Sequence, residues 1–322
     1  MLLITLACTL GALDSDLPSE APVDDSDAPD SDTPPCAQVL FEGQDWTHRF
    51  VTGEVVEIDE PGTLAFCPGT WFTLLHVTSQ VEIVGAGIDE TVLSGGEQGT
   101  VVHVTGAEAS ATIRSATLDR GYARGAANEG SGAGIRCDEG AAVSVFDVLL
   151  SNHDAYDGAG LYARDGCEVL LEDVAFVDNY AEDDGAALRI NQGVGTLRRV
   201  SFSGSSARDG GAVLLDSSAV TIDDATFVDN VSRDSQGGAI LHYWGTLDIR
   251  RARFEANQAN SVGGALALFG DTTLSDVEFV SNSSYEGGGA AHLYPSAGTL
   301  SCTGCSFEGN SPQDLGVQDL GT

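Results

Sequence analysis

Residues 237–266 read GGAILHYWGTLDIRRARFEANQANSVGGAL. The stretch opens and closes on one phrase, and between the copies lie a short alternating segment, Leu247-Asp248-Ile249, an Arg pair, and a Phe followed three residues on by Asn. Alternation over three to five residues, bounded by Gly, Asp or Asn, signals a strand, and no helical period competes with it. Working outward, the opening phrase returns as GAGI ending at Ile135, GAGL at Leu161, GAAL at Leu188, GGAV at Val213, GGAI at Ile240, GGAL at Leu266 and GGAA at Ala291, at spacings of 26, 27, 25, 27, 26 and 25. A second phrase keeps the same beat: LLSN at Leu149 to Asn152, FVDN at Phe176, FSGS at Phe202, FVDN at Phe227, FEAN at Phe254, FVSN at Phe279 and FEGN at Phe307.

Three short strands per repeat with no hairpin between repeats specify a solenoid, each rung stacked about 4.8 Å above the last. The expected fold class is therefore all-β: a single-stranded right-handed parallel β-helix of about ten rungs. Gly-Gly-Ala permits a tight bend where a Cβ would clash, after which Leu, Ile or Val points inward. The Phe residues are expected to form an aromatic column in the core. Asn152, Asn179, Asn230, Asn257, Asn282 and Asn310 are expected to satisfy backbone groups in the following turn. Just before the Phe, charge alternates from rung to rung: Glu172-Asp173, Arg198-Arg199, Asp223-Asp224, Arg250-Arg251, Ser275-Asp276. Opposed charges in adjacent strands favour each other by roughly 0.2 to 1 kcal/mol per pair, so this column selects the register and gives its Arg residues a structural role.

The chain has 322 residues and a formal net charge of -35, from 49 acidic and 14 basic residues, and every basic residue is Arg. Nucleic acid and anionic membranes are poor partners for such a surface. No apolar run approaches the length of a membrane-spanning helix. Thr5-Leu6-Ala7-Cys8 resembles the lipobox cut before a lipidated Cys, so 1–8 reads as a lipoprotein signal segment with Cys8 as the lipidation site and the chain as an exported outer-membrane lipoprotein or extracellular protein. Residues 9–37, rich in Asp, Ser and Pro, read as a disordered acidic tether. The helix is expected over 38–315 and a tail over 316–322. With Cys8 set aside, six cysteines remain, and the pairings easiest to reconcile with stacked rungs are Cys36 with Cys67, Cys137 with Cys167 and Cys302 with Cys305.

The GGA[ILV] and FxxN phrases resemble the repeats of the chlamydial polymorphic outer membrane proteins over roughly Gly130 to Asn310. Cys67 to Trp71 and Val81 to Gly96 look like the opening coils of the pectate-lyase-like β-helices. The resemblance implies a parallel β-helix, surface or extracellular placement and an adhesin role. The outer-membrane β-barrel that ends the polymorphic proteins has no counterpart in this sequence.

Many β-helices cleave polysaccharides with clustered carboxylates, a base and often Ca²⁺. The densest titratable cluster is NHDAYDG, with His153, Asp154 and Asp157, and Asp183, Asp184 and Asp209 follow at the same point of the next rungs. Asp157, Asp184 and Asp209 each precede the Gly of the repeat, so their carboxylates are expected to stack and to need water, an Arg such as Arg208, or a cation. They are the Ca²⁺ candidates, and with His153 and Arg208 the candidate catalytic set. Tyr156, Tyr162, Tyr180, Tyr243, Trp244 and Tyr285 near the same turns are placed to stack on sugars. Two functions are carried forward: a non-catalytic, monomeric surface module binding a glycan or protein, and a polysaccharide lyase or hydrolase using the Asp-rich edge.

Overall fold

The computed structural model describes residues 38–50, 53–125, 130–294 and 298–317. Cys8, Cys36, the 1–8 signal segment and the acidic tether lie outside them. Among the described residues the regular structure is all strand apart from one 3₁₀ turn, Thr47–Phe50. Leu188–Asn191 lies on the first sheet, Val194–Ser203 bends at Arg199 to supply the second and third, and Ser206–Ala207 adds a short fourth strand before Val213 begins the next coil. Every such strand pairs in parallel with its equivalent one coil on: Leu188 with Val213, Thr196 with Thr221, Phe202 with Phe227, Ser206 with Val231. Through residues 62–65, 80–84, 110–114, 142–146, 168–172, 194–198, 219–223, 246–250, 271–275 and 300–303 the second sheet is ten strands deep, which makes nine turns of coil. The first sheet runs on to Leu315–Val317, so its last strand includes residues 316 and 317 of the segment read as tail.

Inside, the rings of Phe176, Phe202, Phe227, Phe254, Phe279 and Phe307 stack nearly parallel, with centroids 5.0, 4.7, 4.5, 5.1 and 5.2 Å apart. The strand spacing imposes this separation, which also suits aromatic pairs. The Asn column runs beside it and is more deeply placed than a turn position. Asn230, Asn257 and Asn282 are fully buried, and each Oδ1 accepts the backbone N–H of the column residue one coil earlier while each Nδ2 donates to the preceding coil's Phe carbonyl. The left-handed residue is the one before it, as at Asp178 (φ 53°), Asp229 (φ 54°) and Ser281 (φ 55°).

Two features of the expected columns are corrected. In the rung of LLSN it is Leu150 that pairs with Phe176, so Asn152 takes the left-handed corner (φ 55°) and His153 stands in the Asn column. In the charge column only the first residue of each pair is in the ladder, giving Glu172, Arg198, Asp223 and Arg250 in register. The second, at Asp173, Arg199, Asp224, Arg251 and Asp276, forms the left-handed corner between sheets, with φ from 49 to 61°. The Arg side chains at these corners fold back: Arg199 reaches Glu172 of the ladder and the neighbouring corner Asp173, 2.7 Å from its Nε, and Arg251 lies 2.5 Å from Asp223 of the ladder.

Gly185 (φ +50°) shows why the repeat needs Gly, since a Cβ there would lie 2.7 Å from the Leu188 carbonyl and from the Leu214 nitrogen. At the N-terminal end Val39–Phe41 runs antiparallel to residues 64–66, and Phe41 stacks on Trp46 at 4.4 Å, closing the core against water. Cys137 pairs with Cys167 at a Cα separation of 6.1 Å, and Cys302 with Cys305 at 6.0 Å. Cys67 is disulfide-bonded.

Candidate functional site

Alternation on the first sheet sends every second side chain to the outer side of the coil, so stacked coils compose a column there, half-buried at His76, His103, Arg136 and Arg189 and buried at Tyr162 and from Leu214 to His292. Successive register partners are Glu57, His76, His103, Arg136, Tyr162, Arg189, Leu214, Leu241, Ala267 and His292. A second outward column contains Arg164, Asn191, Asp216 and Tyr243. The Gly-rich turn flanks the first column, and there the expected acidic edge is found: Asp184 bridges Asp209 in parallel, and the Asp184 N–H donates to Asp157 Oδ1 at 3.2 Å.

The cation that holds this edge together is Arg189. One guanidinium nitrogen lies 2.6 Å from Asp157 Oδ2 and 3.1 Å from Asp184 Oδ2, with side chains only 15%, 5% and 15% exposed. Arg208 sits further out, 2.5 Å from Asp183 and 3.2 Å from Asp209. Arg189 belongs to GAALRI and lies five residues past Asp184, where in linear sequence it reads as an ordinary strand residue. The outward parity of Tyr162, Arg189 and Leu214 is the signal that places it over the acidic turn. Burial raises the Asp157 carboxyl and pushes Asp184 up to about 7: Arg189 pulls both down, but the surrounding carboxylates add repulsion.

Asp157, Asp183 and Asp184 each present an oxygen within 4.8 Å of the others, close enough for the three to hold a hard cation together. Asp209 faces Arg208 instead. Asp154 is held by Arg124 through two hydrogen bonds of 2.6 and 2.8 Å.

His153 lies apart from these groups. It is 1% exposed, its Nδ1 accepts the Gly121 N–H at 2.9 Å, and its own N–H donates to Asn179 Oδ1. Desolvation pushes its pKa down to about 4, so it is neutral at physiological pH. Of the aromatic residues, Tyr162 is 1% exposed and is a wall of the edge, whereas Trp244 is 56% and Tyr285 81% exposed. Tyr243 lies 4.9 Å from Phe269, which stacks on Tyr294 at 4.0 Å. Gln236 ties the patch together, donating to the Tyr243 hydroxyl at 3.3 Å and accepting from that of Tyr294 at 3.1 Å.

Nearer the N-terminal end, Asp138 accepts from His103 at 2.9 Å and from Arg136 and Arg164 at 2.7 Å each. Burial alone would raise this carboxyl, but the three donors hold it well below the usual carboxylate range.

These ladders define a parallel β-solenoid whose outer sheet face carries the polar and aromatic groups. Residues 133–318 match the model of the family described as "Right handed beta helix region", more than half of the chain, and the chain belongs to that family. No curated protein sequence matches it significantly. Among solved structures it is similar to the Agl-KA catalytic domain, at 12% identity over 84% of this chain and 62% of that one, with a TM-score of 0.32. It is also similar to PfbA, a surface adhesin of Streptococcus pneumoniae, at 9% identity over 81% of this chain and 84% of that one, with a TM-score of 0.22. The chain spans less than two thirds of the Agl-KA domain.

Proposed function

We propose that this protein is an exported, non-catalytic surface module that binds an extended glycan along the outer face of its first sheet. The observation that carries the reading is the polar column of Arg164, Asn191 and Asp216 running into Tyr243 and the exposed Trp244. Alternating donors and acceptors beside aromatic faces suit sugar hydroxyls and sugar C–H faces, and coils about 4.8 Å apart repeat them along a chain. Export agrees with two disulfides among the described residues. Lipidation at Cys8 would tether the module to a membrane, as the lipobox and acidic linker suggest, and its likeness to the polymorphic outer membrane repeats fits that placement.

Binding is preferred over cleavage because of what lies between the carboxylates. A glycosidase places its two carboxyl groups on either side of the scissile bond, and here the Arg189 guanidinium fills that space at 2.6 and 3.1 Å. A glycan array followed by calorimetric titration tests the reading. A hit whose affinity falls at least tenfold in Trp244→Ala supports it, and wild-type protein that retains no glycan refutes it.

The Asp184 carboxyl, poised near 7, favours a second reading, because a general acid or base works best with a pKa near the working pH. On that reading the protein is a polysaccharide lyase or hydrolase. Unsaturated product or new reducing ends from an acidic polysaccharide, abolished in Asp184→Asn, would establish it in place of the first.

A further inference from the structure

We infer that the outer face of the first sheet carries a transition-metal site at His76 and His103, toward the N-terminal end and apart from the acidic edge. The two residues are register partners on adjacent coils, with ring centroids 5.0 Å apart and planes inclined by 29°. Each ring is oriented by a carboxylate. His76 Nδ1 lies 2.6 Å from Glu57 Oε2, and His103 Nε2 lies 2.9 Å from Asp138 Oδ2. An ionised carboxylate only accepts, so each contact draws the ring proton to that nitrogen and leaves the lone pair on the other. His76 Nε2 and His103 Nδ1 are the ligand atoms that result.

This is the arrangement metal sites use: the ligating imidazole donates its far N–H to a carboxylate, which fixes the ring and makes the free nitrogen more basic. Asp138 is itself fixed by Arg136 and Arg164. Both histidines line a surface cavity of about 360 Å³ whose other walls include Leu74, Gln98, Gly99 and Thr100, and their side chains are 30% and 29% exposed. An ion can therefore enter from solvent. Two nitrogens bound at about 2.0–2.1 Å to a tetrahedral ion stand roughly 3.3 Å apart, so binding requires the two rings, 5.0 Å apart at their centroids, to turn toward each other. The remaining positions of such an ion would be left to water or an incoming ligand. Imidazole selects zinc, copper(II) or nickel over calcium, and a net charge of -35 concentrates cations around the molecule.

Calorimetric titration of the purified full chain with zinc chloride tests this, with circular dichroism confirming that each variant is folded. The expected result is one ion bound per chain in the micromolar range. His76→Gln and His103→Gln should each weaken it at least tenfold, and Glu57→Gln by about 10- to 100-fold, since that change leaves both ligands in place but loses the orienting carboxylate. Asp157→Asn with Asp184→Asn should leave zinc uptake unchanged, and calcium should not compete. Absence of zinc uptake by the wild type overturns the inference. So does uptake by both His variants equal to that of the wild type, which would assign the ion to surface carboxylates.

Discussion

Asn257→Ala probes the ladder that runs the length of the solenoid. Its side chain is fully buried and makes four hydrogen bonds: Oδ1 accepts from the Asn230 backbone N–H at 3.1 Å and from Asn230 Nδ2 at 2.9 Å, and Nδ2 donates to the Phe227 carbonyl and to Asn282 Oδ1, both at 2.9 Å. Truncation leaves the Asn230 N–H without its acceptor and removes this donor from the Phe227 carbonyl, in a place neither backbone group can leave. Each such loss costs about 1–3 kcal/mol, so the variant should lose about 2–6 kcal/mol. Gln258→Ala, the exposed neighbour, should stay within about 0.5 kcal/mol of wild type. Urea titration followed by far-ultraviolet circular dichroism measures both. Hydrogen exchange at the Asn230 amide reports whether the loosening is local, as the nearest-neighbour character of a solenoid requires. Asn257→Asp adds a sharper test, because the carboxylate keeps the acceptor but sets oxygen against the Phe227 carbonyl and Asn282 Oδ1. It should be at least as damaging as Ala at neutral pH and recover when acidified far enough to restore a proton. If Asn257→Ala costs no more than Gln258→Ala, the ladder is not what holds these turns.

Other consequences follow from the same contacts. Serine replacement of Cys137 and Cys167, which close a separation of 30 residues, should cost about 3–4 kcal/mol by loop entropy, whereas replacing Cys302 and Cys305, separated by 3, should cost about 2 kcal/mol or less; paired thermal melts compare them. His153 and His242 are buried with pKa values pushed down to about 4, so between that value and the unfolded 6.5 the unfolded chain binds the extra proton. Their contribution is intact above pH 6.5 and falls by about 3 kcal/mol each as pH drops to 4, and His242→Leu should flatten that slope in urea titrations. Asp184, raised by burial, works in the opposite sense, since stability from its protonated form is lost as pH climbs from 3.8 through about 7. Asp184→Asn should therefore stabilise the protein at pH 8 relative to pH 5 when compared with wild type. Arg189→Ala strands two buried carboxylates and should cost about 3–5 kcal/mol at pH 7, with part restored by adding Asp184→Asn.

The repeat phrases were enough to read the solenoid, because a coil can stack only if the same residue types return at the same points: Phe at the core, Gly where a Cβ meets a carbonyl, Asn where a backbone donor is left over. Stacking multiplies each requirement by the number of coils, so the pattern stands out in one dimension. The acidic edge was legible for the same reason, as Asp157, Asp184 and Asp209 share one position of the repeat. What escaped was whatever depends on a neighbour from another position. Arg189 is five residues from Asp184 in the chain, but the turn folds that distance into one ion pair. His153 stands where other rungs carry Asn, because the alignment of LLSN shifts by one residue once the left-handed corner is placed. His76 and His103 lie 27 residues apart with no repeated phrase around them, and only the parallel register sets one ring on the other. Periodicity determined the scaffold by itself. Which side chains meet on its surface depends on where each turn bends and on which side-chain rotamer the packed neighbours leave open, and only the folded coil decides that.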